Sequence, residues 1–183
     1  MICLNEEFDT ATLEKIRLLY EKSFPVSEKK PFNLMLKKRE SDEMEFLAIT
    51  DDGGEFLGLA IMVIYGDIVL LDYFAIEEKS RGRGVGGCVL PMLRKRYTGK
   101  RLILEIEDPD EQGAENTAER VRRLDFYRRA KMVNMAYRVR LFGVLMMVMC
   151  FDGEAVSYEE YHGVYTGVFT DAISKNIRLV TEG

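Results

Sequence analysis

The chain has 183 residues, of which 47% are hydrophobic, enough to bury one core and so to form a single expected domain over 1–183. A net charge of −5 argues against general affinity for nucleic acid, and no apolar run approaches the roughly 20 residues that span a bilayer. Three scattered cysteines, Cys3, Cys88 and Cys150, form no disulfide or metal framework and fit a reducing cytoplasm, while one histidine, His162, leaves little material for a zinc site or a Ser-His-Asp triad.

Met1 to Phe8 contains acids and lacks the basic-then-apolar layout of a signal peptide. Met1 to Leu4 reads as a short strand. Asp9 or Thr10 is a cap for a helix to about Ser23, with Leu13, Ile16, Leu19 and Tyr20 on its inner face. After the break at Ser23 to Glu28, a second amphipathic helix is expected from Pro31 to Arg39, with Phe32, Met35 and Leu36 inward. Glu45 to Thr50 and Glu55 to Tyr65 read as strands joined by Asp51-Asp52-Gly53-Gly54, a hairpin signal. Tyr65-Gly66-Asp67-Ile68 turns into a third strand, Val69 to Ile76.

The segment after that third strand organises the rest of the chain. Four polar residues lead into Arg81-Gly82-Arg83-Gly84-Val85-Gly86-Gly87, and Val85 to Tyr97 reads as a helix. Glycines let main-chain N–H groups approach a ligand, a helix start adds unpaired donors and partial positive charge, and Arg81 and Arg83 add full charge. Strand, Gly-Arg loop and helix together make a phosphate site. Gly82-x-Gly84-x-x-Gly87 matches a dinucleotide fingerprint as a string, with Glu107 at the spacing of a ribose ligand, but Glu77 to Arg81 intervene and the chain does not continue with the run of strand–helix–strand units that such a fold requires.

Downstream, Arg101 to Glu107 reads as a strand, 108 to 117 as an acidic, mobile loop, and Thr117 to Ala130 as a helix with Val121, Leu124 and Tyr127 at intervals of three. Met132 to Leu141 and Val144 to Phe151 form a hairpin around Gly143, and the methionines of 145 to 149 read as core. Ser157 caps a last helix to about Ser174, and Ile177 to Val180 adds an edge strand. Charge is divided sharply. Lys79 to Arg101 holds eight Lys or Arg and no acid, and Arg120 to Arg140 holds eight against Asp125 alone. These blocks point to a localised anionic ligand, while most of Arg94 to Arg96 and Arg120 to Arg123 read as solvated helix faces.

Three stretches carry a resemblance. Arg81-x-x-Gly84-x-Gly86 between strand and helix resembles the acetyl-CoA pyrophosphate loop of the GNAT superfamily of N-acetyltransferases. Leu102-Ile103-Leu104-Glu105-Ile106 looks like that family's strand "Leu-x-Leu-Glu-Val". Phe126-Tyr127 stands where its members show an aromatic-Tyr-x-x-x-Gly-Phe helix end, with Ala130 and Met132 taken to replace the Gly and Phe. The resemblance covers most of the chain in element order. It implies an α/β (α+β) fold with a mixed, mostly antiparallel central sheet of about six to seven strands flanked by helices.

The activity implied is direct transfer of acetyl from acetyl-CoA to a primary amine of a small molecule or peptide, without metal, releasing CoA. Main-chain groups of Phe74, Ala75 and Ile76 would pair with the pantetheine arm like an added strand. Arg81, Gly82, Arg83, Gly84, Val85, Gly86 and Gly87 would hold the pyrophosphate, and the first two helices would wall the acceptor site. Tyr127 aligns with the tyrosine that protonates the thiolate, as against a core tyrosine. Glu105, which shares a strand face with Glu107, stands where some members place a base, as against a surface acid, and two adjacent carboxylates raise one pKa. Asp72 and Glu28 are further base candidates. No nucleic acid or membrane partner is expected, and the chain would act as a monomer or homodimer. A non-catalytic acetyl-CoA sensor and a nicotinamide-binding protein remain as alternatives.

Overall fold

The computed structural model describes residues 1–180, with Ser27 by its main chain alone. Among these residues the strands are β1 (Ile2–Asn5), β2 (Met44–Asp51), β3 (Phe56–Tyr65), β4 (Ile68–Ile76), β5 (Arg101–Glu107), β6 (Met132–Leu141), β7 (Val144–Phe151) and β8 (Ile177–Val180). The helices are α1 (Thr10–Ser23), α2 (Phe32–Glu40), α3 (Val85–Arg96), α4 (Thr117–Arg129), α5 (Tyr158–Val168) and α6 (Asp171–Ser174). The eight strands take the sheet order β1-β2-β3-β4-β5-β7-β6-β8. The expected six to seven become eight because both short terminal segments, β1 and β8, pair against β2 and β6.

The chain divides into two compact units, one of Met1–Ile64 and Leu71–Thr98, the other of Tyr65–Leu70 and the residues from Gly99 onward. In the first, β1 and β3 flank β2 in antiparallel register. Asp9 caps α1 by accepting the Thr12 N–H at 2.8 Å, as its sequence position implies. Ile16, Leu19 and Tyr20 of α1 and Phe32 and Met35 of α2 are buried with the near-continuous apolar run of β3. A Cβ at Gly58 would lie 2.4 Å from the Ala75 carbonyl oxygen, so β4 presses on β3 at a point only glycine accommodates.

In the second unit, β7 lies antiparallel to both β5 and β6, which buries Met146, Met147 and Met149 as core. The β6–β7 register shifts between Asn134 and Arg138, a bulge in an otherwise regular pair. Three expectations are corrected here. The last helix stops at Val168, Phe169 and Thr170 are extended, and α6 restarts at Asp171. An unbroken helix would run away from the point where Ile177 must meet Leu141. The buried stripe of α4 is Arg120, Leu124 and Tyr127, at helical spacing of four and three, whereas Val121 is 43% exposed.

The acidic loop is the third. It is tied down by arginines: Arg120 donates to the Asp108 carbonyl and to Glu111, Arg138 pairs with Asp108 at 2.5 Å, and Arg140 pairs with Glu111 at 3.0 Å. Arg120 accordingly lies inside and Arg123 is half-buried against Glu107, whereas Arg122 is exposed as expected. Arg94, Lys95 and Arg96 are exposed as well, with Arg96 paired to Glu6 and Glu45. Among the described residues no helix is long and apolar enough to cross a membrane.

Candidate functional site

The Gly-Arg loop begins as β4 ends. The Glu77 N–H donates to the Leu57 carbonyl at 2.8 Å, anchoring the end of β4 on β3, and a single 3-10 turn, Glu78–Ser80, comes next. Arg81 Nε then donates to the Ile76 carbonyl at 3.0 Å, closing the neck of the loop. Gly82 and Gly84 have φ of +73° and +78°, the left-handed region open to glycine, and Gly84 is the cap residue of α3. The first α3 bond runs from the Cys88 N–H to the Gly84 carbonyl, so the N–H groups of Val85, Gly86 and Gly87 precede it in the unpaired first turn. Residues 81 to 84 and 87 are exposed, Val85 is buried as the anchor, and nothing lies within 4 Å of a Cβ built at Gly82, Gly84 or Gly87. Donors, positive charge and open space coincide, which is what a pyrophosphate needs.

Just upstream, the burial of β4 alternates. Asp72, Phe74 and Ile76 are half-buried, while Tyr73 and Ala75 are buried. Asp72 is no unencumbered base, because the Lys30 ammonium holds both its oxygens at 2.7 and 2.9 Å in a pair with side chains 4% and 3% exposed. The Glu28 carbonyl accepts the Tyr73 hydroxyl at 2.8 Å. These residues, with Phe74 to Gly87, belong to the first unit; Glu105 and Tyr127 belong to the second.

Glu105, half-buried on β5, accepts a bond from the Tyr161 hydroxyl and another from the Tyr165 hydroxyl at 2.7 Å. Both tyrosines come from α5, four residues apart on one helix face, and both are fully buried. Burial, then the neighbouring Glu105 charge, pushes the Tyr161 phenol well above its ordinary range, so it stays a donor. Sequence reasoning missed this pair; the four-residue spacing of two tyrosines on the capped helix was the available signal. The like-charge coupling expected of Glu105 and Glu107 is replaced by other partners. Glu107 is ion-paired to Arg120 at 2.9 Å and to Arg123 at 2.8 Å, which also takes it away from a ribose role.

Tyr127, 8% exposed, packs edge-on to Phe126 with centroids 5.0 Å apart. Burial pushes its phenol up to about 12, against a smaller downward pull from Arg123. At the end of α4 the left-handed residue is Lys131, φ +67°, and not Ala130, φ −80°. Lys131 therefore stands in the place of the helix-ending glycine, directly before Met132.

No family model matches the chain, and no curated protein matches it by sequence. Solved structures do. A protein assigned to the GNAT family of acetyltransferases, from Bacteroides thetaiotaomicron, superposes with a TM-score of 0.72 over 95% of this chain and 98% of its own, at 18% identity. The spermidine N-acetyltransferase of Vibrio cholerae, solved with CoA and spermine, gives 0.65 over 82% and 94%, at 12% identity. A ribosomal-protein-alanine N-acetyltransferase of Escherichia coli gives 0.56 over 86% and 100%, at 18% identity. This chain has the fold of the GNAT acetyltransferases.

Proposed function

We propose that residues 1–183 act as one acetyl-CoA-dependent N-acetyltransferase domain that moves acetyl to a primary amine of a small molecule or peptide. The observation that carries this is the loop after β4: two left-handed glycines, exposed Arg81 and Arg83, and the open first turn of α3. The fold supports the choice of ligand, since a mostly antiparallel sheet lacks the repeated parallel units of a dinucleotide fold. Phe74, Ala75 and Ile76 offer main-chain partners to the pantetheine arm, and residues 81 to 87 hold the pyrophosphate. The acceptor amine attacks the thioester carbonyl, the C–S bond breaks, and the departing thiolate takes a proton from Tyr127. Glu105 is the proposed base for the amine proton, oriented by Tyr161 and Tyr165.

Thermal shift with acetyl-CoA, CoA, NAD and NADP tests the reading. Acetyl-CoA and CoA should raise Tm and the nicotinamide dinucleotides should not. Arg83→Ala should weaken acetyl-CoA binding roughly tenfold or more and flatten its salt dependence, because a charge-assisted phosphate contact is lost. Arg81→Ala should do more, because it also opens the neck at Ile76. Unchanged affinity in the double variant would remove the reading. Binding without turnover across a broad amine screen would favour the sensor alternative.

A further inference from the structure

Lys30 is an uncommon residue to find 5% exposed. It is clamped at three points: its carbonyl accepts the Tyr20 hydroxyl at 2.7 Å, its N–H donates to the Tyr73 hydroxyl at 3.1 Å, and its ammonium takes both oxygens of Asp72. Its Nζ lies over the Tyr73 ring, 5.1 Å from the ring centroid. The ammonium thus arrives beside β4 at Asp72, two residues before Phe74. Asp72 is half-buried overall while its side chain is 3% exposed, so the surface it offers is main chain. There the main chain is partly exposed, and the side-chain space is filled by the pair.

We propose that the Lys30–Asp72 pair is the stop that limits the donor's acyl group to about the size of acetyl. The inference rests on the acyl-CoA reading above. With phosphates at residues 81 to 87 and the arm along Ile76 to Phe74, the acyl end points toward Asp72. Two strand residues span about 6.6 Å, room for a thioester and little more. The pair yields poorly to a longer chain, because parting two buried charges leaves each unpaired and the tyrosine bonds fix the Lys30 main chain. Tight pockets separate substrates by roughly 10–200-fold per methylene.

The test is calorimetric affinity for CoA, acetyl-CoA, butyryl-CoA and hexanoyl-CoA, in the natural protein and in Lys30→Ala/Asp72→Ala, which removes both charges together. The natural protein should bind acetyl-CoA at least about tenfold more tightly than butyryl-CoA. The double variant should lose that preference while its affinity for CoA stays the same. A natural protein without the preference, or a variant that keeps it, overturns the proposal. Failure of the natural protein to bind even CoA would instead overturn the parent reading. Should the variant not fold, carbon-13 NMR of Lys30 in the natural protein decides: its Cε signal should move with acetyl-CoA and not with CoA, and no difference between them overturns the stop.

Discussion

A buried phenol with its pKa at about 12 keeps its proton throughout physiological pH, so Tyr127 holds the proton that its proposed role requires. The same burial makes it a reluctant one, and the nearby Arg123 charge works in the opposite direction. Tyr127→Phe keeps the ring against Phe126 and deletes only the proton. Acetyl-CoA affinity should hold while kcat falls roughly 10²-fold, and full turnover would sink the assignment. Because the phenol ionises only near 12, any alkaline limb in the rate profile below that pH belongs to another group. At Glu105, the same kinetics separate two roles. Glu105→Gln should abolish the acidic limb if the carboxylate is the base. If Glu105 serves only to tether α5, that limb persists and Tyr165→Phe matches the Gln variant in lowering Tm.

The end of α4 shows how a short element carries strain. Lys131 takes a left-handed conformation that costs an L-residue about 1–2 kcal/mol relative to glycine. Its side chain is exposed, so little packing opposes a change. Lys131→Gly should therefore stabilise by about 1 kcal/mol, roughly 2–4 °C in Tm for a chain of this size. Lys131→Ala, which keeps the Cβ, should gain nothing, and equal Tm values for the two variants would refute the account. The opposite substitution at the start of α3, Gly84→Val, should be damaging through its φ of +78° and not through a clash, since the space around it is open.

Across the second unit, charges of opposite sign tie distant segments together. Arg101 on β5 pairs with Asp67 at 2.8 Å and with Glu160 of α5 at 2.8 Å, and Glu160 also completes the capping box with Ser157. The bond from Arg101, then that from the Ser157 N–H, lowers the Glu160 carboxyl to about 2 from the ordinary 4.5. A carboxyl depressed on folding stabilises the protein above its unfolded pKa, and that contribution disappears as pH falls from about 4.5 through about 2. Glu160→Gln should be less stable at neutral pH and show a flatter loss of stability across that window, read by chemical denaturation at stepped pH. Parallel stability curves for the two proteins would contradict the linkage.

Neighbour-to-neighbour signals were legible in the chain itself. Asp51 to Gly54 closes the β2–β3 hairpin, Asp9 caps α1, β5 spans Arg101 to Glu107 as read, and the Gly-Arg loop stands between strand and helix. Each depends on dihedral preference or on apolar spacing within about ten residues. The partners of the charged and phenolic groups did not show. Lys30 meets Asp72 across 42 positions, and Glu105 meets Tyr161 and Tyr165 across 56 and 60. The spacing of α4 placed Val121 inside, yet Arg120 is buried because Glu107 and Glu111 neutralise it there. Burying a charge is favourable only when a specific opposite charge arrives with it. Whether one arrives is decided by how strands and helices far apart in sequence come to lie side by side, and no local preference encodes that.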